Sequence, residues 1–283
     1  MNYFDTHIHI GRFPQWDLEL STMHCVRLLE EEGICGAVVL PSFHQGDTAP
    51  ELNLPTLRIG RAHSHLLPFY WANVVPDSLE PCVARHVAFL ETHGDLAYGI
   101  KYHPSISQVR VDHPGLKPLW HWLSGSPLGR RMVLIHSGRS AISNGENIYE
   151  LASEFPDITW IIAHLGGGVF DKIMECLQFY QQRGLPSNVF FDTAQTTHPV
   201  LIRRAVEMLG DHCLLYGSDE PFLDTRIVKN LLEYSGIDAR SQEKIAYENA
   251  SEVFANNNID LDSRVKRNHQ TPALKLMRWS ASA

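Results

Sequence analysis

Short apolar runs alternate with amphipathic stretches along most of this chain. Residues 3–10 (YFDTHIHI) place side chains on alternate sides, as a strand does. Residues 18–32 carry helical spacing up to a stop at Gly33. The same alternation predicts strands at 35–40, 67–74, 97–102, 131–136, 158–164, 188–193 and 213–218. Between them fall predicted helices at 53–64, 79–92, 115–123, 145–154, 168–182 and 198–209, with two more at 224–235 and 241–255. Runs such as VVL, MVLI, WIIA and CLLY are apolar on both faces, so the sheet is expected to be parallel and covered on both sides. Eight strand–helix units over about 255 residues predict a (β/α)₈ TIM barrel of the α/β class. A doubly wound sheet is disfavoured because no glycine-rich fingerprint follows the first strand. We take 1–258 as one barrel domain and 259–283 as a C-terminal extension, helical or irregular, that is no independent domain.

Composition narrows the class. With 44% hydrophobic and 20% charged residues in 283, the chain can bury a full core without staples. Its net charge of −8 argues against nucleic acid as a partner. The start, MNYFDTHIHIG, lacks the basic and apolar regions of a signal peptide, and no apolar run is long enough for a membrane span. Five scattered cysteines without a CxxC pair read as reduced and mostly buried, which predicts a cytoplasmic protein. From Arg264 onward the tail carries basic residues and no acid. We expect it to cross the barrel exterior or contact a second copy in a homodimer.

Sixteen histidines direct attention to the strand ends. Chemistry in this fold sits where the strands finish, and there the polar residues collect: His7 and His9, Lys101 and His103, His136, His164, Asp192 and Asp219. His7 and His9 stand two apart and share a face, as metal-binding imidazoles would. Asp219 follows LLYGS and is suited to ligate metal and take a proton from water. Asp5 is a candidate supporting partner for His7. The glycines at 166–168 lack the Lys-Ser/Thr of a phosphate loop and read as a tight turn. Arg12 and Arg139, just past strands one and five, are candidates to grip a substrate carboxylate. The loop 42–53, with His44 and Asp47, is where specificity is expected. No GxSxG elbow supports a serine hydrolase.

Taken in order, DTHIH (5–9), GIKYHP (99–104), LIHSG (134–138), AHLGG (163–167), GSDEPF (217–222) and KIAYENASEVF (244–254) resemble the amidohydrolase superfamily in its amidohydrolase-2 branch. The resemblance implies a distorted barrel holding one or two divalent metals, commonly zinc, with manganese as an alternative. It implies His7, His9, His136 and Asp219 as ligands, and Asp219 with His164 as the catalytic pair. Lys101 would face a substrate carboxylate or, carboxylated, bridge two metals. The expected activity is metal-assisted hydrolysis of a small-molecule amide, lactone or ester. The branch also implies an alternative, decarboxylation of an aromatic or unsaturated acid, and a further one, a metal-free lactonase.

Overall fold

A computed structural model describes residues 1–270, with side chains through Val265. Eight parallel strands appear in chain order: β1 Tyr3–Phe13, β2 Ile34–Pro41, β3 Leu66–Pro68 continued by Tyr70–Trp71, β4 Ile100–Tyr102, β5 Met132–Ile135, β6 Thr159–Ile162, β7 Val189–Asp192 and β8 Leu214–Leu215. Each of β1 to β7 pairs in parallel with the next. β3 is interrupted at Pro68–Phe69, where proline has no N–H to give. Its first half pairs with β2, and Tyr70 N donates to Gly99 O on the β4 side at 2.9 Å. β8 returns to β1 through Thr6 N to Tyr216 O at 2.9 Å, Asp219 N to His7 O at 2.8 Å and His9 N to Glu220 O at 2.7 Å. These bonds close the barrel.

Strand alternation sorts the core into two clusters. Val38, Leu40, Met132, Leu134, Ile161 and Leu215 point inward with Phe4, and Phe254, Ile259 and Leu261 plug the floor beneath them. Ala37, Val39, Val133, Ile135, Trp160 and Ile162 point outward under the helices. On β1 the register shifts between Asp5 and Ile8. That extra residue lets Phe4 and the His7/His9 pair occupy the same inner face.

Several predicted elements differ in extent. The helix expected over 18–32 begins at Thr22, where the Ser21 hydroxyl accepts from His24 N at 3.2 Å. Its first three residues, Leu18–Leu20, instead form an antiparallel spur on Gly11–Phe13, after a turn at Pro14–Trp16. The single helix expected over 53–64 is three short turns, Pro50–Asn53, Leu54–Leu57 and Ile59–Ala62. The last predicted helix, 241–255, is an α–π–α run from Ala239 to Asn256. The extension continues as a helix, Leu261–Gln270, seated by Ile259 and Leu261. The rest of the basic tail, including Lys275 and Arg278, and the homodimer contact expected of it lie outside the described residues. Among the described residues all five cysteines are free, and no helix is long and apolar enough to cross a membrane.

Candidate metal centre

Inward parity carries past the strand ends into the polar residues. Leu134 leads to His136, Leu215 to Gly217 and Asp219, and Lys101 lies between outward Ile100 and Tyr102. His164 is out of step, one position after Ala163. A left-handed backbone at His164 (φ 58°) and Leu165 (φ 48°) turns it back over the barrel mouth. Gln195 (φ 53°) and Asp219 (φ 69°) have the same conformation, so three consecutive strand exits carry strained residues at the site.

Three atoms converge at the centre. His7 Nε2 lies 3.3 Å from His9 Nε2, and each lies 3.2 Å from Asp219 Oδ1. The opposite ring edges fix the tautomers. His7 Nδ1 faces Asp192 Oδ2 at 2.8 Å, and His9 Nδ1 faces the Pro41 carbonyl at 3.4 Å. Both Nδ1 atoms must donate, so both Nε2 atoms present lone pairs. Two lone pairs and a carboxylate oxygen then crowd together with no hydrogen between them. Lys101 Nζ, 3.0 Å from His7 Nε2, relieves only one of the three. A tetrahedral ion with bonds of 2.0–2.1 Å spaces its ligand atoms about 3.3–3.4 Å apart. The observed edges fit such an ion, and the N/N/O donor set suits a first-row divalent metal.

Electrostatics agree. Burial alone would raise the Asp219 carboxyl, but its close packing against the imidazoles of His7, His9 and His164 holds it well below the usual carboxylate range, so it is ionised. Burial pushes His7 and His9 down, so both stay neutral, as ligands must be. Burial also brings Lys101 down to about 8, against the pull of Asp219 and Asp192.

The remaining predicted residues separate. His164 Nδ1 faces Ala194 O at 3.2 Å and therefore donates. Its Nε2 accepts from His136 Nδ1 at 3.1 Å, which leaves the His136 lone pair on Nε2. His136 and His164 thus form a relay beside the centre. Among the described residues, His136 is not in the converging set of His7, His9 and Asp219. Lys101 is fully buried under the ligands rather than on the cavity wall. Arg12 is exposed, opposite Glu19 in the spur, and Arg139 is exposed beside a separate depression with Lys172 and Glu175. Neither lines the cavity at the centre. Asp5 does not support the His7 ring. Its Oδ1 accepts from His7 N and Ser218 N, each at 3.0 Å, tying β1 to β8, while burial pushes it up to about 7.

The ring partner is Asp192, a polar strand end whose role the sequence did not disclose. Gln195 was missed altogether. It donates from Nε2 to Asp219 Oδ2. Above the centre lies a cavity of about 300 Å³ lined by His9, Phe13, Phe43, Trp71 and Phe222, among others. His9 itself contacts this aromatic box, with ring centroids 5.9 Å from Phe13 and 5.6 Å from both Trp71 and Phe222. Exposed Trp16 packs edge-on against Phe222 at the rim.

Fold and site together define a (β/α)₈ barrel enzyme with histidines and carboxylates gathered at the C-terminal mouth. The chain belongs to the Amidohydrolase family (Amidohydro_2), which matches residues 5–255. No curated protein matches it in sequence. Similar solved structures include 5-carboxyvanillate decarboxylase LigW from Sphingomonas paucimobilis, at 14% identity over 90% of this chain and 99% of that one, TM-score 0.67. A dihydroxybenzoic acid decarboxylase from Polaromonas sp. JS666, with bound manganese and 2-nitroresorcinol, shares 15% identity over 92% and 99%, TM-score 0.68. An uncharacterised Tim-barrel protein from Bordetella bronchiseptica shares 15% over 91% and 100%, TM-score 0.68. At these identities the likeness establishes the barrel fold alone.

Proposed function

We propose that this protein is a metal-dependent decarboxylase of a small aromatic carboxylic acid. The observation that carries the reading is the aromatic box whose floor includes the ligand His9. A flat ring fits between Phe13, Phe43, Trp71 and Phe222, and about 300 Å³ is at the small end of ligand pockets. Among the described residues no arginine lines the box, so the substrate anion is to find its counter-charge at the centre. The printed activities of the LigW and Polaromonas structures support the same reading, as does the manganese in the latter. Hydrolysis, the activity expected from the sequence, is the reading this one displaces.

His7, His9 and Asp219 would hold the metal, which when bound supplies a Lewis-acid anchor for substrate oxygens. Asp192 and the Pro41 carbonyl keep both imidazoles in the ligating tautomer. The aromatic walls orient the ring and exclude water. Gln195 holds Asp219 Oδ2 at the cavity. Asp219 is a carboxylate in the resting site; once it has taken a proton from solvent, it delivers that proton to the ring carbon. The carbon–carboxylate bond breaks, its electron pair stays on the ring carbon, the proton takes its place and CO₂ leaves. His136, hydrogen-bonded to His164, lines the same space.

The test is CO₂ release from a panel of benzoates by protein loaded with manganese or zinc, with and without chelator. Chelator-sensitive release supports the proposal. Turnover of lactones or amides without CO₂ would transfer the assignment to hydrolysis, and chelator-resistant lactone turnover to a metal-free lactonase.

A further inference from the structure

The strand-four histidine, His103, has no part in the chemistry above, yet it lines the aromatic cavity. It caps the short turn Pro104–Ser107, and its Nδ1 accepts from Ile106 N at 3.2 Å. An Nδ1 that accepts carries no proton, so the neutral ring holds its hydrogen on Nε2. Two rings fix its orientation. His103 stacks on His136 with centroids 3.6 Å apart at 12°, and runs parallel to Trp71 at 5.8 Å and 3°. Among the described residues no acceptor takes the Nε2–H. His103 is half-buried at the cavity wall, so this donor is open to whatever occupies the cavity.

We propose that His103 recognises an oxygen substituent on the substrate ring through Nε2–H. This rests on the aromatic-acid reading, and it narrows the substrate class to ring-oxygenated aromatic acids. The oxygen sits on the β3–β4 side of the ring. His103 is a specificity residue, and Nδ1 cannot serve in its place while it caps the turn.

Calorimetry with metal-loaded protein tests this, using benzoate, 3-hydroxybenzoate and 4-hydroxybenzoate as probes. The wild type should bind one hydroxy acid at least about tenfold tighter than benzoate, because a site built to bond a hydroxyl discriminates against its absence. His103→Asn keeps the turn cap, and His103→Phe keeps the stack, but both lose the donor. Each should bring the ratio of hydroxy acid to benzoate affinity within about threefold. His103→Gln, whose amide nitrogen reaches the Nε2 position, should restore discrimination. Equal binding of all three acids by wild type, or a ratio retained in both the Asn and Phe variants, overturns the proposal and spares the decarboxylase reading. Binding of none overturns both. A ligand-free readout is ¹⁵N NMR of the histidine rings, where a His103 protonated at Nδ1 also overturns it.

Discussion

Replacing Asp192 by Asn should weaken metal binding without touching a ligand. Asp192 Oδ1 accepts from His164 N at 2.8 Å and Ala194 N at 3.1 Å, and Oδ2 accepts from His7 Nδ1 at 2.8 Å. An asparagine has one oxygen for these three donors. Turning that oxygen to His7 orphans two buried amides, at about 1–3 kcal/mol each. Turning it to the amides is cheaper, and then the side-chain NH₂ meets His7 Nδ1. The imidazole answers by moving its proton to Nε2, the atom that faces His9 and Asp219. One of three donors is thereby lost. Disturbing such a supporting partner weakens metal affinity about 10–100-fold, which is about 1.4–2.8 kcal/mol. Competition between the protein and a chelating dye for Zn²⁺ or Mn²⁺, at fixed pH, reads this directly. Circular dichroism confirms that the variant is folded. A folded Asp192→Asn protein with affinity within twofold of wild type would falsify the tautomer argument.

Four further outcomes follow from the structure. His86 is buried and neutral, accepting from Tyr70 Oη and donating to Asn73 O at 2.7 Å, and burial brings it down to about 4. Its folded value is below the unfolded one, so its contribution is whole above about pH 6.5 and drains as pH falls towards 4. The loss is about 3 kcal/mol, and His86→Gln should flatten that part of a urea-midpoint profile against pH. Phe254→Ala removes the ring that meets Phe4 edge-on at 5.4 Å beneath the barrel; it should cost about 3–5 kcal/mol in chemical denaturation, while the metal stoichiometry of the folded fraction stays constant. Arg12→Ala and Arg139→Ala should leave the KM of an aromatic acid within about twofold, and a tenfold rise in either would put that guanidinium at the substrate. Gln195→Ala should lower kcat more than KM, because it frees Asp219 Oδ2 without altering the aromatic box.

Much of this architecture was legible because strands repeat every two residues. The HxH of His7 and His9 had to share a face, and the β1 register shift only selected the inner one. His136 and Asp219 continue the parity of Leu134 and Leu215, so apolar runs ending in polar residues marked the mouth correctly. His164 breaks that parity, and only its left-handed backbone brings it in. The support of His7 could not be read, because its partner Asp192 is 185 residues away and nearby Asp5 looked equally suitable. Arg12 is the exposed neighbour of cavity-lining Phe13 on β1, and Arg139 lies past the end of β5, so closeness to a strand end in sequence did not bring either to the cavity. The helix expected at 18–20 failed for a non-local reason: those residues pair with Gly11–Phe13. Tertiary hydrogen bonds overrode a short helical pattern there.

The barrel seam has a consequence for the order of events in the cell. Asp219 N donates to His7 O, and the two side chains meet again at the centre. The join that closes the sheet and the candidate metal set are therefore made by the same pair, over 200 residues apart. A nascent chain that has not yet released Asp219 from the ribosome carries only two of the three donors, on a strand with an open edge. On the proposed metal-dependent reading, cation capture is thus confined to the last stage of synthesis, when β8 docks. It also cross-links the chain's first strand to its last, so ejection of the ion should be felt first as faster hydrogen exchange at the Asp219 and His9 amides.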